Sequence, residues 1–404
     1  MCIRDRPETE LADAKYDGKI NPLDFIQIKL IIVGKEKEIT VVDGNGDPVT
    51  VHKPVERVIV EYLDNAELIR ILNAKDKVVG VDFIIAKTKI QFPELSKLPC
   101  LGAMSNPDYE AVLSLNPDLL LTFSKSTSEK KEKLPGVAVV FLGLYYPDLS
   151  NSYGSRFTDG VRKLGYILDA EEEAEEYINW RIGLVDSIKS QTEGLSEDEK
   201  PRVFIWSKPS LPLKKTFKTC PMADTLTQMC ILAGGKSIAE DLPEFVQPVY
   251  RITVDPEWVI VQNPDFILVH TVRYTYGGGT MDTASGYDAD DPAGVKEMRD
   301  AIMSCPELAN VKAVKTGNVY IMSGNFRNDA AGGVTGAAYM AKLFHPDLFE
   351  DLDPEAIHQE FLELQRFDYD LDEHGVFVYP PIIKGKGKLA GIPDRYYDSI
   401  VAQP

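Results

Sequence analysis

The 404-residue chain is short of the residues on which metal and redox chemistry depend. Its 5 cysteines, Cys2, Cys100, Cys220, Cys230 and Cys305, include no Cys-x-x-Cys pair, which excludes zinc ribbons and cysteine-held clusters. Its 5 histidines, His52, His270, His345, His358 and His374, include no i, i+4 pair, so capture of a bare metal ion is disfavoured. No P-loop, Gly-x-Ser-x-Gly elbow or His-Glu-x-x-His helix occurs, which leaves an enzyme reading without a phosphate cradle or an activated nucleophile. Positive charge is scarce too. Against 63 acidic residues stand 44 basic ones, and the net charge of −19 argues against nucleic acid, whose phosphates need a basic footprint. No apolar run is long enough to span a bilayer. Cys220 and Cys230 can be read as a disulfide of an oxidising compartment or as buried free thiols, and both readings stay open.

What the chain does have is a phrase that occurs twice. Asp-Tyr-Glu-Ala-Val-Leu-Ser-Leu-Asn-Pro-Asp-Leu-Leu-Leu-Thr-Phe starts at Asp108, and Asp-Pro-Glu-Trp-Val-Ile-Val-Gln-Asn-Pro-Asp-Phe-Ile-Leu-Val-His starts at Asp255. Aligned without gaps, Glu110 meets Glu257, and Asn116-Pro117-Asp118 meets Asn263-Pro264-Asp265. Each copy reads as a short helix, capped by its leading Asp and stopped at Asn-Pro, followed by a buried parallel strand. With 44% hydrophobic residues the chain is globular, and two copies imply two α/β lobes of like construction with a ligand cleft between them.

The segments divide accordingly. Residues 1–10 read as a leader whose Met1–Arg6 looks like translated sequencing adapter; on that reading a signal peptide or lipid-anchor cysteine is lost from the chain. Residues 11–38 hold a loop with calcium spacing: Asp13, Asp17, the Lys19 carbonyl and Asp24 fall at positions 1, 5, 7 and 12, with Gly18 at the turn. Lys15 stands where position 3 needs an oxygen, so the site is expected to be weak. Residues 39–156 form the first lobe, opening on a hairpin over 38–52. Residues 157–200 form the linking helix, with Ala174, Ile178, Ile182, Val185 and Ile188 on one face. The second lobe spans 201–345, with 313–322 as a strand pair. A terminal helix and extension cover 346–383, and 384–404 is expected to be a flexible tail.

In open α/β sheets a ligand sits at the carboxyl ends of the strands. That rule selects Tyr62, Asp82, Ser124, Lys125, Tyr145 and Tyr146 in the first lobe, and Trp206, Lys208, His270, Arg273, Asn325 and Arg327 in the second. Aromatic and basic side chains of this kind suit a large, flat or anionic ligand, through stacking and bidentate pairing.

These blocks resemble a known family. Arg57-Val-Ile-Val through Val81, the two Glu-to-Asn-Pro-Asp blocks, and Leu308 through Tyr320 are similar, in order, to class III substrate-binding proteins of ABC importers. The segment around residues 11–34 resembles half of a dockerin module. The family resemblance implies two Rossmann-like α/β lobes joined by one long rigid helix. It implies capture of an iron–siderophore, haem or corrinoid, and delivery to an ABC permease and its ATPase outside the cytoplasm. It also implies that Glu110 and Glu257 dock into that permease. No cofactor is expected beyond calcium at the N-terminal loop. The alternatives are a metal-tetrapyrrole chelatase-like enzyme, which shares the two-lobed layout, and a dockerin-bearing cell-surface assembly component.

Overall fold

A computed structural model of the chain describes residues 14, 19–124, 127–144, 147–240, 242, 251–271, 284–327, 330–331 and 333–402. It divides into two compact units, residues 1–147 with 151–182, and residues 148–150 with 183–404.

The first unit opens on a hairpin, β1 (Glu38–Val42) and β2 (Pro48–His52). Alternate residues are buried, as a period of two requires when a ribbon covers one face. Four parallel strands follow: β3 (Val58–Val60), β4 (Val78–Val81), β5 (Leu119–Thr122) and β6 (Ala138–Phe141), in the order β4-β3-β5-β6. Every residue of β3 and β5 is buried, which explains their unbroken apolar runs: helices cover both faces of a parallel sheet.

The second unit repeats the arrangement. Its strands are β7 (Arg202–Ser207), β8 (Phe217–Thr219), β9 (Lys236–Ser237), β10 (Ile252–Val254), β11 (Phe266–His270) and β12 (Val319–Met322). Strand β13 (Val378–Tyr379) lies antiparallel on the edge, giving the order β9-β7-β11-β12-β13. In each unit the second parallel strand lies outside the first, and the third lies on its other side. The order in which strands are added therefore reverses between β3 and β5, and again between β7 and β11, the positions where open sheets take ligands.

The doubled phrase now has a physical content. Asn116 and Asn263 adopt left-handed backbone angles, φ +46° and +45°, and so end the helices Tyr109–Ser114 and Pro256–Gln262. Asp118 then accepts the Glu56 and Arg57 amides, both at 2.8 Å, while Asp265 accepts the Arg202 amide at 2.8 Å. Arg57 and Arg202 in turn donate to the last carbonyls of those helices, Leu115 at 2.9 Å and Gln262 at 3.2 Å. Asn-Pro-Asp is thus a clasp that ties helix end, third strand and first strand together. The copies differ at the front. Asp108 caps its helix through the Ala111 amide at 3.0 Å, but Asp255 makes no cap hydrogen bond.

Between the two sheets in the sequence come two helices, Arg156–Leu168 and Glu171–Thr192, broken where Asp169 takes φ +58°. The expected face of the second helix, Ala174, Ile178, Ile182, Val185 and Ile188, is buried throughout, and the boundary between the units falls within it. Two sequence expectations need correction. Residues 312–315 are a helical turn rather than the first strand of a pair, with only Val319–Met322 extended. Residues 384–402 are ordered: Ile382–Gly385 pairs with Lys388–Ala390, and Leu389 and Ile392 are buried in the second unit's core.

Near the N-terminus Asn21 caps the helix Pro22–Ile32, and Asp24 in turn accepts the Asn21 amide at 2.8 Å. Asp13 and Asp17 of the calcium-spaced loop lie outside the described residues.

Candidate functional site

At the carboxyl ends of the first unit's strands the structure gathers carboxyl groups. Glu61, directly after β3, is buried and receives the Lys130 ammonium at 2.5 and 2.6 Å and the Thr122 hydroxyl at 2.6 Å. Tyr62 follows with φ +73° and ψ 163°, a conformation that costs a non-glycine residue roughly 1–3 kcal/mol. Its ring stacks on Phe123, centroids 4.0 Å apart. Asp82, after β4, caps the short helix Phe83–Lys87 through the Ile85 amide at 3.0 Å, and its second oxygen is buried without a hydrogen bond. Burial, and after it the nearby Glu61 charge, lifts the Asp82 carboxyl to about 7. Ser124 is half-buried and donates its amide to Thr122 at 3.1 Å. Lys125, Tyr145 and Tyr146 lie outside the described residues.

The Asp82 shift has a consequence for stability. A carboxyl raised in the folded state favours folding below its unfolded pKa and opposes it as pH climbs through 7. Asp82→Asn keeps a good cap and removes the charge. We expect it to gain about 1–3 kcal/mol at pH 8 and nothing at pH 4. Urea unfolding at the two pH values checks this, and equal stabilities at pH 8 would contradict it.

The second unit's strand ends carry the opposite sign. Lys208 follows β7 with φ +55°, its amide held by the His270 carbonyl at 2.9 Å. Its ammonium has no hydrogen-bond or ion-pair partner among the described residues. Asp224 caps the helix Thr225–Leu232 through the Leu226 amide at 3.1 Å. The same carboxylate takes Arg327 through Nη2 at 2.6 Å and Nε at 3.0 Å, and Arg251 through Nη1 at 2.9 Å. Arg251 also donates through Nε to the Ser207 hydroxyl. Burial alone would raise the Asp224 carboxyl, but Arg327 and Arg251 override it and hold it far below the usual carboxylate range. His270 closes β11, 3% exposed, and neither ring nitrogen has a partner. Burial, then Arg251, Arg327 and Lys208, keep its ring neutral by pulling its pKa well down.

Of the residues read from sequence in this lobe, the structure brings Lys208, His270 and Arg327 together. Trp206 it places in the core, 2% exposed and packed on Phe217 with centroids 4.1 Å apart, because its position in β7 points it to the covered face. Asn325 is also buried, its Oδ1 accepting the Ser323 hydroxyl at 3.0 Å within its own turn. Arg273 lies outside the described residues. Sequence reading missed Arg251, Asp224, Glu61 and Lys130. Asp224 had a signal, an N-cap residue directly before an apolar helix. Lys130 had none, since it reads as one of several lysines on an exposed turn.

Glu110 and Glu257 are both exposed, each in the first turn of its short helix, and neither side chain forms an ion pair or hydrogen bond among the described residues. Cys220 and Cys230 are buried free thiols, the former pushed up to about 12 by burial and then by Asp224.

Comparison with known proteins adds the following. A model of the family described as periplasmic binding protein matches residues 58–325. The ABC transporter substrate-binding lipoprotein YvrC of Bacillus subtilis (strain 168) is 26% identical over 260 residues, covering 64% of this chain and 77% of YvrC. Among solved structures, the TroA-like periplasmic binding protein FepB from Veillonella parvula aligns with a TM-score of 0.66 at 21% identity, covering 84% of this chain and 98% of FepB. Haemophilus influenzae MolA, solved with molybdate bound, aligns with a TM-score of 0.64 at 18% identity, covering 82% and 99%. At these identities the two structures speak for the fold alone.

Proposed function

We propose, from the premise that the chain belongs to the periplasmic binding protein family, that it is the extracytoplasmic substrate-binding component of an ABC importer. Its cargo on this reading is a chelated iron, haem or corrinoid, handed to a permease and its ATPase. The observation that carries the reading is a buried polar group at the end of β11 that the fold leaves unsatisfied. His270 has two unpartnered ring nitrogens, and the exposed Lys208, whose charge it feels, lies beside it. Orphaned buried groups of this kind cost stability, and a bound ligand offsets that cost.

Titration of the full chain with ferric siderophores, haem and cobalamin, followed by tryptophan fluorescence, tests the proposal. Saturable one-to-one binding of any of them supports it. Metal insertion into a porphyrin, with no saturable binding, would sink it in favour of a chelatase.

Glu110 and Glu257 are the proposed permease contacts. Their exposure, their matching register and their lack of partners suit groups kept for another protein. Glu110→Lys with Glu257→Lys is expected to leave ligand affinity and unfolding temperature unchanged and to reduce uptake through the reconstituted permease to background. Charges at an interface rim act on encounter and register rather than on the fold. A loss of ligand affinity instead would place the glutamates at the ligand.

Weak calcium binding at the loop Asp13–Asp24, and with it a dockerin-like role for that segment, is also proposed, on sequence grounds. In the structure one Asp24 oxygen is already engaged by the Asn21 amide, which suits a weak site better than a strong one.

A further inference from the structure

We propose that the helix Pro22–Ile32 is a membrane-contact element, which lays an apolar face into the headgroup layer of a bilayer rich in anionic lipid. Neither the cargo reading nor calcium at the neighbouring loop is needed for it.

The helix is built inside out. Its two buried residues, Asp24 and Gln27, are polar. Asp24 closes the helix start by accepting the Asn21 amide, and Gln27 donates through Nε2 to the Glu38 carbonyl at 2.7 Å. These hydrogen bonds hold the helix against the start of β1, so its polar side faces the protein. The other side carries Phe25, Ile26, Ile32 and Val33, exposed by 68%, 51%, 77% and 54%. With Lys29 they recur at i, i+1, i+4, i+7 and i+8, which makes one stripe. An ordinary surface helix turns such a stripe to the core and its polar residues to water. Single exposed apolar residues are common, but several in one patch mark an interaction surface.

What surrounds the stripe identifies its partner. Between residues 19 and 37 every exposed residue is apolar, proline, glycine or lysine; none is an acid, an amide or a hydroxyl. The lysines are Lys19, Lys29, Lys35 and Lys37. Both carboxylates of this stretch are withdrawn. Asp24 is taken into the helix start, and Glu36 pairs with Lys53 at 2.8 Å, both side chains nearly covered. Within a chain of net charge −19, the stretch presents positive charge alone.

A second copy suits this surface poorly. Lys29 lies in the middle of the stripe, so a two-fold contact through it brings two ammoniums together. A groove on another protein fares little better. Specific interfaces carry about one hydrogen bond per 100–200 Å², and the exposed side chains here offer only ammoniums to make them. Seated in such a groove, Lys29 would need a carboxylate and would lose its water. At a lipid surface neither demand arises. The apolar side chains enter the acyl boundary, and the lysine stem reaches from there to a headgroup phosphate. The flanking lysines add attraction to anionic lipid. Eleven residues make a helix of roughly 16 Å, about half the length a span needs, so it lies in the surface rather than across it.

The test is co-sedimentation of the full chain with vesicles of phosphatidylcholine alone, and of phosphatidylcholine with about a third phosphatidylglycerol, at low and high salt. The expected result is binding to the anionic vesicles that weakens as salt rises, with little binding to the neutral ones. Phe25→Ser with Ile32→Ser should weaken it at least about tenfold, and Lys29→Glu at least about fivefold. All three side chains are exposed, so unfolding temperatures should match wild type. Phe25→Trp supplies a reading that needs no loss of binding. Its emission, against wild type, should shift to the blue on anionic vesicles and be quenched by brominated lipid. No binding to the anionic vesicles at low salt overturns the proposal, as does binding that survives the substitutions. Self-association that the same substitutions abolish, without lipid binding, overturns it in favour of a second copy. Cargo titration of the double variant should match wild type, so failure on vesicles leaves the binding role standing.

Discussion

Asp224→Ala should cost about 3–5 kcal/mol of stability, the largest loss expected from any single polar substitution in the second unit. Asp224 carries two loads. It caps the helix Thr225–Leu232, a contribution of about 1 kcal/mol, and it is the shared counter-charge of Arg251 and Arg327. Its removal leaves two mostly buried guanidiniums facing each other and Lys208. Asp224→Asn keeps the cap and loses the charge, so it should recover only the smaller share. Because the folded-state pKa of Asp224 is depressed, its contribution is full above the unfolded carboxylate value and fades as pH falls below it. The difference between wild type and Asp224→Ala should therefore hold from pH 5 to 8 and shrink in strong acid. In the double variant Asp224→Ala, Arg327→Leu, removing one of the stranded cations should return part of the loss. Thermal unfolding shows the single change as a fall of roughly 10 °C. A fall of a degree or two would mean that other groups already neutralise the arginines.

The second large effect lies in the first unit. Lys130 and Glu61 are each 4% exposed at the side chain and in direct contact at 2.5 Å. Lys130→Met leaves Glu61 buried with the Thr122 hydroxyl and the Phe123 backbone but no counter-charge, and should cost about 3–5 kcal/mol at pH 8. The folded-state shift runs opposite to that of Asp224, although both penalties fade in acid. Burial already raises the Glu61 carboxyl despite the Lys130 ammonium, and losing the ammonium raises it further. The penalty is thus greatest at alkaline pH and disappears as pH falls below the unfolded value, near 4.3, where the carboxyl is neutral in both states. Urea titrations at pH 4, 6 and 8 decide the matter, and a loss that does not change with pH would show that Lys130 matters for packing rather than charge.

These two clusters also show how far the sequence could be read. The architecture was legible because it is written in local and periodic signals. Asn116-Pro117 and Asn263-Pro264 mark helix ends, and the runs after them mark buried strands. The break at Asp169 was not legible, since a left-handed Asp carries no local mark that separates it from an ordinary loop residue. The tail misled because Gly385, Gly387 and Gly391 look like disorder, yet Gly387 and Gly391, at φ +77° and +104°, let the chain turn back as a hairpin and lay Leu389 and Ile392 into the core. The rule of strand ends picked Lys208, His270 and Arg327, which the structure places near one another, because position along a strand is local information. It could not find Arg251 or Lys130, whose side chains arrive from neighbouring elements, Arg251 from just before β10 and Lys130 from a surface helix. It misplaced Trp206, because which face of a strand looks inward depends on the partner that covers it.

The edge strand β13 bears on the timing of synthesis. Everything the first sheet needs is encoded before residue 142, and that unit's helices end at residue 182. The second sheet takes its fifth strand from residues 378–379, and its core takes Leu389 and Ile392, so it stays open along β12 until those residues have been made. An uncovered, fully apolar parallel edge on a nascent chain is a site for wrong pairing. The second sheet is thus open to mispairing over a longer stretch of synthesis than the first, whose four strands come from one continuous run of residues 58–141.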